Sequence, residues 1–166
     1  MRARVGLGFD VHPFTDDPAR PLVLGGVPID GPGLDGHSDA DVVVHAVADA
    51  VLGAAALDDL GTLFPASDER YLGASSIGLL AEVAGRVVAA RLWIVNVDVV
   101  VAAERPVLSP HVRAMVENIG RALHPAREPM GDGLHVSVKP KRAEGLGAIG
   151  RAEGIAAWAV ALLESG

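Results

Sequence analysis

Asp10 and His12 are separated by one residue in RVGLGFDVH, and His45 lies in the otherwise apolar stretch DVVVHAVADAVLGAAA. On an extended chain, residues two apart point to the same side, so Asp10 and His12 share a face. Gly6 and Gly8 precede them on that face and leave room there for a ligand. One carboxylate and two imidazoles suit a divalent metal, and three protein ligands with an open fourth position are the catalytic zinc arrangement. Each piece also has a plainer reading. Asp-x-His on a strand is commonly incidental, and a histidine within an apolar helix is commonly a satisfied core residue. The chain has no cysteine, so it has neither a disulfide framework nor a thiolate metal site.

Three more segments carry possible chemistry. Gly36-His37-Ser38-Asp39 opens the helix that holds His45; a helix N-terminus suits phosphate, and His37 and Ser38 could donate to its oxygens. The alternative is a simple N-cap, since Ser38-x-x-Asp41 is close to a capping box. Asp58-Asp59-Leu60-Gly61 could bind sugar-type hydroxyls or be a helix-ending turn. The basic, Gly-rich run from Lys139 to Gly147 could clamp a diphosphate, with Glu144 holding a hard cation, or be a charged surface loop.

The elements that must position these residues follow from periodicity. Arg4–Val11 alternates, with Val5, Leu7, Phe9 and Val11 forming the apolar side of a half-buried strand that Pro13 closes. Pro21–Ile29 is extended and bent at Gly25-Gly26, and 31–36 is a loop. Ser38 or Asp39 caps a helix from about Asp41 to Ala56, on which Asp41, His45 and Asp49 form a polar stripe at i, i+4 and i+8. Asp49 is placed either to orient His45 from behind or as a structural acid. A loop spans 61–68, helices span 75–91 and 110–124, and strands span 92–103 and 134–139. The apolar run 152–164 reads as a last helix. The expected fold class is α+β: one domain over residues 1–166, a two-layer sandwich of a mixed four-stranded sheet with helices on one face.

Charge is divided unevenly. Residues 1–70 carry twelve acids against four arginines, a net of −8, whereas residues 71–166 carry nine acids against ten basic residues, a net of +1. The acidic half argues against nucleic acid as a partner. The opening residues lack the apolar core of a signal peptide, and no apolar run reaches membrane-spanning length, so no membrane partner and a cytoplasmic location are expected. Half of the residues are apolar and the mean hydropathy is +0.35, high for a small monomer, so part of the surface is expected to be buried between subunits.

The ordered set GFDVHPF, VLGGVPI, GHSDADVVVHAVADAVLGAAAL, DLGTLFP, NVDVVVAAERP and EGLGAIGRAEGIA resembles the 2-C-methyl-D-erythritol 2,4-cyclodiphosphate synthase family over about Arg4–Leu163. The resemblance implies a homotrimer with active sites between neighbouring subunits and a phosphorus–oxygen lyase of non-mevalonate isoprenoid biosynthesis. It implies zinc on Asp10, His12 and His45, and magnesium or manganese with the substrate diphosphate near Glu144. His37 and Arg142 match positions credited with transition-state stabilisation. Asp10, His12, His37, Ser38, Asp59, Gly61, Phe64 and Asp68 match substrate-binding positions, Phe64–Asp68 as a flexible loop. Ala103 to Ser109, Lys141 and Arg142 match the cytidine and phosphate pocket, supplied by the adjacent subunit, and Glu144, Ala148 and Arg151 match further substrate-binding positions. The implied substrate is a cytidine-diphosphate derivative of methylerythritol 2-phosphate, whose 2-phosphate attacks its own β-phosphorus and releases CMP.

Several residues depart from that pattern. Pro140-Lys141-Arg142-Ala143 replaces a Thr-rich stretch, exchanging hydroxyl donors for cationic ones. Val107 replaces a common Lys, Ala66 a common Asp, Ala148 a frequent Phe and Trp158 a Glu of some members. A catalytically impaired metal- and nucleotide-binding trimer is therefore one alternative. A zinc phosphohydrolase using metal-bound water is another.

Overall fold

The computed structural model describes residues 2–124 and 134–165. Strand β1 (Arg2–Pro13) is followed by a short hairpin, β2 (Leu22–Leu24) and β3 (Val27–Ile29), then helix α1 (Val42–Ala55) and the single turn α2 (Leu60–Leu63). Helix α3 (Ser76–Ala89), strand β4 (Leu92–Ala102), helix α4 (Val112–Leu123), strand β5 (His135–Lys141), the turn α5 (Gly147–Gly150) and strand β6 (Gly154–Ser165) complete the order. The main sheet is mixed and four-stranded, ordered β1–β6–β4–β5, with only β4 and β5 parallel. Helices α1, α3 and α4 cover one face, as expected for this α+β class. Among the described residues no helix is long and apolar enough to cross a membrane.

The last element corrects the sequence reading: 154–165 is a strand, not a helix. It lies between β1 and β4 and pairs antiparallel with both. An apolar run of this length does not distinguish a buried helix from a buried strand by composition. Large and small residues alternate, however: Trp158 and Val160 face outward while Ala157, Ala159 and Ala161 are buried. Ladder bonds on both edges override the helix propensity of alanine.

Strand β1 also turns the opposite way from expectation. Its apolar side is exposed, with Val5 and Leu7 at 68 %, Phe9 at 49 % and Val11 at 48 %. The glycine side packs on α1. A Cβ at Gly6 would sit 2.0 Å from the Ala50 carbonyl oxygen, and one at Gly8 would sit 1.9 Å from that of Ala46. These glycines therefore admit a helix backbone rather than a ligand. Cross-strand partners match the same need: Gly6 faces Ala161, and Gly8 faces Ala159.

Two local expectations shift as well. The N-cap of α1 is Asp41, not Ser38 or Asp39; its side chain accepts the Val44 N–H. Asp41 is fully buried and also takes the N–H groups of Gly25 and Gly26, tying the β2–β3 turn to the helix. Part of the expected 61–68 loop is the α2 turn, capped by Asp59 through Thr62 N–H. Because β1, β4 and β5 run the same way, His12, Ala102 and Lys141 end on one rim of the sheet. Three strand spacings of about 4.8 Å place the β1 and β5 edges about 14 Å apart along that rim.

Candidate metal centre and the rim around it

At the β1 end of this rim, Asp10 and His12 leave the strand on the α1 side, and His45 meets them from the first turns of α1. Asp10 Oδ2 lies 3.0 Å from His12 Nε2 and 2.9 Å from His45 Nδ1. One ligand atom from each residue falls within 4.8 Å of the others, which makes the trio a candidate metal site. All three side chains are partly buried, at 25 %, 20 % and 14 % exposure, so solvent and ligand can reach them.

Each ring is held from behind. His12 Nδ1 lies 2.6 Å from the Asp35 carbonyl oxygen, which makes that nitrogen a donor and turns Nε2 toward Asp10. His45 Nε2 faces the hydroxyls of Ser76 at 2.9 Å and Ser38 at 3.1 Å. Burial pushes the Asp10 carboxyl up, but the hydrogen bonds and charges of His12 and His45 together hold it well below the usual carboxylate range. The hydrogen bond to Asp10 raises the His12 pKa, against burial. Two imidazoles clasping one ionised carboxylate from two sides are what a divalent cation would replace. Mixed nitrogen and oxygen donors fit zinc.

The loop from 34 to 38 is held by Arg20, which the sequence did not single out. Its Nε donates to the Leu34 carbonyl oxygen at 3.1 Å, and its Nη2 to those of Gly36 at 2.8 Å and Ser38 at 2.5 Å. His37 is partly exposed on this loop, whereas Ser38 is buried and turned toward His45. At the start of α1 the Val44 amide is taken by the Asp41 side chain. Burial pushes the Asp41 carboxyl up to about 6, opposed by its three backbone donors.

Asp49 does not touch His45. It accepts the Leu60 N–H at 2.8 Å, and this anchors the turn bearing exposed Asp59 and Gly61. Burial raises its pKa. Phe64 is only 7 % exposed and packs edge-on against Tyr71 at 5.3 Å. Asp68 caps and ion-pairs with Arg70.

The basic cluster occupies the β5 end of the rim. Lys141, Arg142, Glu144, Ala148 and Arg151 are all exposed. Arg142 Nη2 lies 2.5 Å from Glu104 Oε1, and the other Glu104 oxygen takes the Ala143 N–H at 3.2 Å. Arg151 pairs with Glu153 at 2.6 Å. Ala103 is buried and donates its N–H to the Lys141 carbonyl oxygen, while Ser109 is exposed at the start of a short turn before α4. The structure thus gathers Asp10, His12, His45 and Ser38 at one end of the rim. Ala103, Lys141, Arg142 and Glu144 lie toward the other.

Fold and donor trio together define an α+β protein with a candidate metal centre where a sheet edge meets the helix behind it. The YgbB family model matches residues 3–164, and the chain belongs to that family. It is 54 % identical to a 2-C-methyl-D-erythritol 2,4-cyclodiphosphate synthase of Rubrobacter xylanophilus, over 97 % of this chain and 94 % of that one. It is 52 % identical to the synthase of the same name from Bordetella avium, over 96 % of this chain and 94 % of that one. The IspF–CDP complex of Plasmodium falciparum has the same fold, with a TM-score of 0.81 and 32 % identity over 98 % of this chain and 96 % of that one.

Proposed function

We propose that the chain converts 4-diphosphocytidyl-2-C-methyl-D-erythritol 2-phosphate to 2-C-methyl-D-erythritol 2,4-cyclodiphosphate and CMP. An oxygen of the 2-phosphate bonds to the β-phosphorus, and the bond from that phosphorus to the α–β bridging oxygen breaks. CMP leaves with the bridging oxygen, and no water enters. The convergence of Asp10, His12 and His45 carries this reading, together with the names of the relatives.

Phosphoryl transfer asks a protein mainly for positioning and charge neutralisation. Bound at the trio, zinc would supply positive charge to the β-phosphate, as magnesium or manganese near Glu144 would to the diphosphate bridge. No general base is needed, because a phosphate is already ionised at neutral pH. His37, next in the chain to the Ser38 that faces His45, would donate to a phosphate oxygen. Asp59 and Gly61, anchored through Asp49, would hold the methylerythritol hydroxyls, with the Phe64–Asp68 segment alongside. Ala103, Ser109, Lys141, Arg142, Ala148 and Arg151 would form the nucleotide and phosphate pocket.

The active assembly in this reading is a homotrimer with the site shared between neighbours. Two features support it. The trio and the basic cluster stand about 14 Å apart on one sheet rim, so a second chain's β5 edge can complete the first chain's β1 edge. The outer sheet face exposes Val5, Leu7, Phe9, Val11, Trp158 and Val160 together, an apolar patch of the kind that subunits cover. Incubating the protein with substrate and magnesium should release CMP and give a product that retains both phosphates and gains no water. A product heavier by one water would identify a phosphohydrolase. Metal-loaded protein without CMP would identify the impaired binding form.

A further inference from the structure

Asp39 belongs to the His-Ser-Asp run that opens α1, yet the reaction above gives it no task. Its carboxylate points away from the rim, to the start of α3. There Oδ2 accepts the Ser76 N–H at 3.0 Å, and Oδ1 accepts the Ser76 hydroxyl. Oδ1 also lies 3.3 Å from the Asp41 N–H. Ser76 is fully buried, and its Oγ is 2.9 Å from His45 Nε2. The Asp39 amide donates in turn to the Ala74 carbonyl oxygen, so the carboxylate is fixed on both sides of its own backbone.

A proton count along this chain gives it a direction. An ionised carboxylate only accepts, so the one hydroxyl proton of Ser76 goes to Asp39. Ser76 Oγ must then accept at its other contacts, His45 Nε2 at 2.9 Å and the Ser38 hydroxyl at 3.5 Å, and at the shorter of the two His45 Nε2 carries the hydrogen. The remaining nitrogen, Nδ1, is the one 2.9 Å from Asp10 Oδ2. A neutral ring with hydrogen on Nε2 has its lone pair on Nδ1, the nitrogen that faces Asp10 and the one a metal held there would take. The Ser38 hydroxyl, 3.1 Å from the same Nε2, also accepts the Ala40 N–H and has no carboxylate to fix its proton.

We propose that Ser76, held by Asp39, is a positioning residue that sets the ring orientation and tautomer with which His45 meets its metal. This rests on Asp10, His12 and His45 holding a metal. It adds a carboxylate–serine–histidine relay behind one ligand. Hydrogen-bond partners of this kind fix the tautomer of ligating histidines, and their loss costs about 10–100-fold in metal affinity.

The test uses the full chain and zinc alone, with affinity read by competition against a chelator and folding by thermal melting of the metal-free protein. Ser76→Ala keeps the backbone N–H that caps onto Asp39 and removes only the hydroxyl; zinc should bind about 10–100-fold more weakly. Asp39→Asn is nearly isosteric, but its amide can donate to Ser76 Oγ and turn the hydroxyl proton toward His45. It should weaken zinc binding comparably. In the zinc-loaded wild type, the His45 Nε2–H proton should be exchange-protected and downfield by NMR, and Ser76→Ala should move it upfield. A change in global stability alone would not move it. Ser38→Ala should cost less zinc affinity than Ser76→Ala. Wild-type zinc affinity in both Ser76→Ala and Asp39→Asn, an unmoved Nε2–H resonance, or an equal loss in Ser38→Ala would overturn the relay. If Ser76→Ala does not fold, Asp39→Asn alone decides. A wild-type chain that takes up no zinc would instead remove the metal centre itself, and the relay with it.

Discussion

Gly8→Ala tests how the metal centre is built. The added Cβ would sit 1.9 Å from the Ala46 carbonyl oxygen and 2.6 Å from the Ala50 nitrogen, and both atoms are backbone. Side-chain carbons essentially never approach closer than 3.0 Å, so α1 must retreat by the difference, about 1.1 Å. Ala46 is the neighbour of His45, and the same retreat would stretch the contact from Nδ1 to Asp10 from 2.9 Å to about 4 Å. Functional constellations tolerate only about 0.5 Å of displacement. Zinc affinity should therefore fall by about 10–100-fold, the loss seen when a ligating histidine loses its orientation. Overpacking a core costs about 1–3 kcal/mol, and backbone-on-backbone contact belongs at the upper end. For a chain of this size that lowers Tm by roughly 6–12 °C. Gly53→Ala on the same helix is the control. Nothing lies within 4 Å of its added Cβ, and it should stabilise the helix by about 0.5–1 kcal/mol. Calorimetry and chelator competition check both variants. A Gly8→Ala protein that melts and binds zinc like the wild type would refute the glycine-to-helix reading.

At the proposed zinc site, the raised pKa of His12 should set the pH dependence of uptake. Protonated Nε2 cannot ligate, and the proton is held more tightly than in free histidine, so affinity should begin to fall on acidification above about pH 6.5. Titration of zinc binding from pH 8 to 5 checks this; a flat profile would contradict it. In the proposed reaction Arg142→Ala would remove a charged phosphate partner worth about 1.5–3 kcal/mol, so turnover in a CMP-release assay should drop about 10–100-fold. Unchanged turnover would exclude Arg142 from the reaction. Asp49→Ala leaves the Leu60 N–H without its acceptor and should raise KM while zinc content stays constant. Asp49→Asn keeps an acceptor oxygen and should stay near wild type in the same steady-state assay. Phe9→Lys places a charge on the exposed apolar sheet face and should lower the sedimenting mass to that of a monomer without removing the zinc.

Much of the trio was legible because its positions obey simple periods. A two-residue step on β1 fixed a shared face for Asp10 and His12, and the interrupted apolar pattern of α1 marked His45. The burial of β1 was misread because apolar residues were assigned to the core. Here the apolar side faces outward and the glycines face the helix, a distinction that depends on what packs against the strand. β6 was misread because a twelve-residue Ala-rich run satisfies both helical propensity and the needs of a strand flanked on two edges. The contacts of Ser76, Arg20 and Glu104 were invisible for another reason. They reach across 31, 14 to 18 and 38 to 41 positions, and no local pattern encodes such pairings. A lone Arg20 amid acidic residues was the one available hint.

Arg20 also has a consequence for the order of events at the rim. Of the four arginines in the acid-rich first 70 residues, this one spends its guanidinium on three carbonyl oxygens. Arg70 is committed to Asp68, and Arg2 and Arg4 sit at the far end of β1, about 26 Å or more from His12 at 3.3 Å per residue. A polyanion arriving beside Asp10 thus meets a negatively biased surface with no uncommitted arginine of its own to greet it. In the proposed reaction a phosphate would be drawn to Asp10 only once a cation is loaded there, so metal should precede the phosphates at this end of the rim, and excess chelator should weaken substrate binding as well as removing the metal.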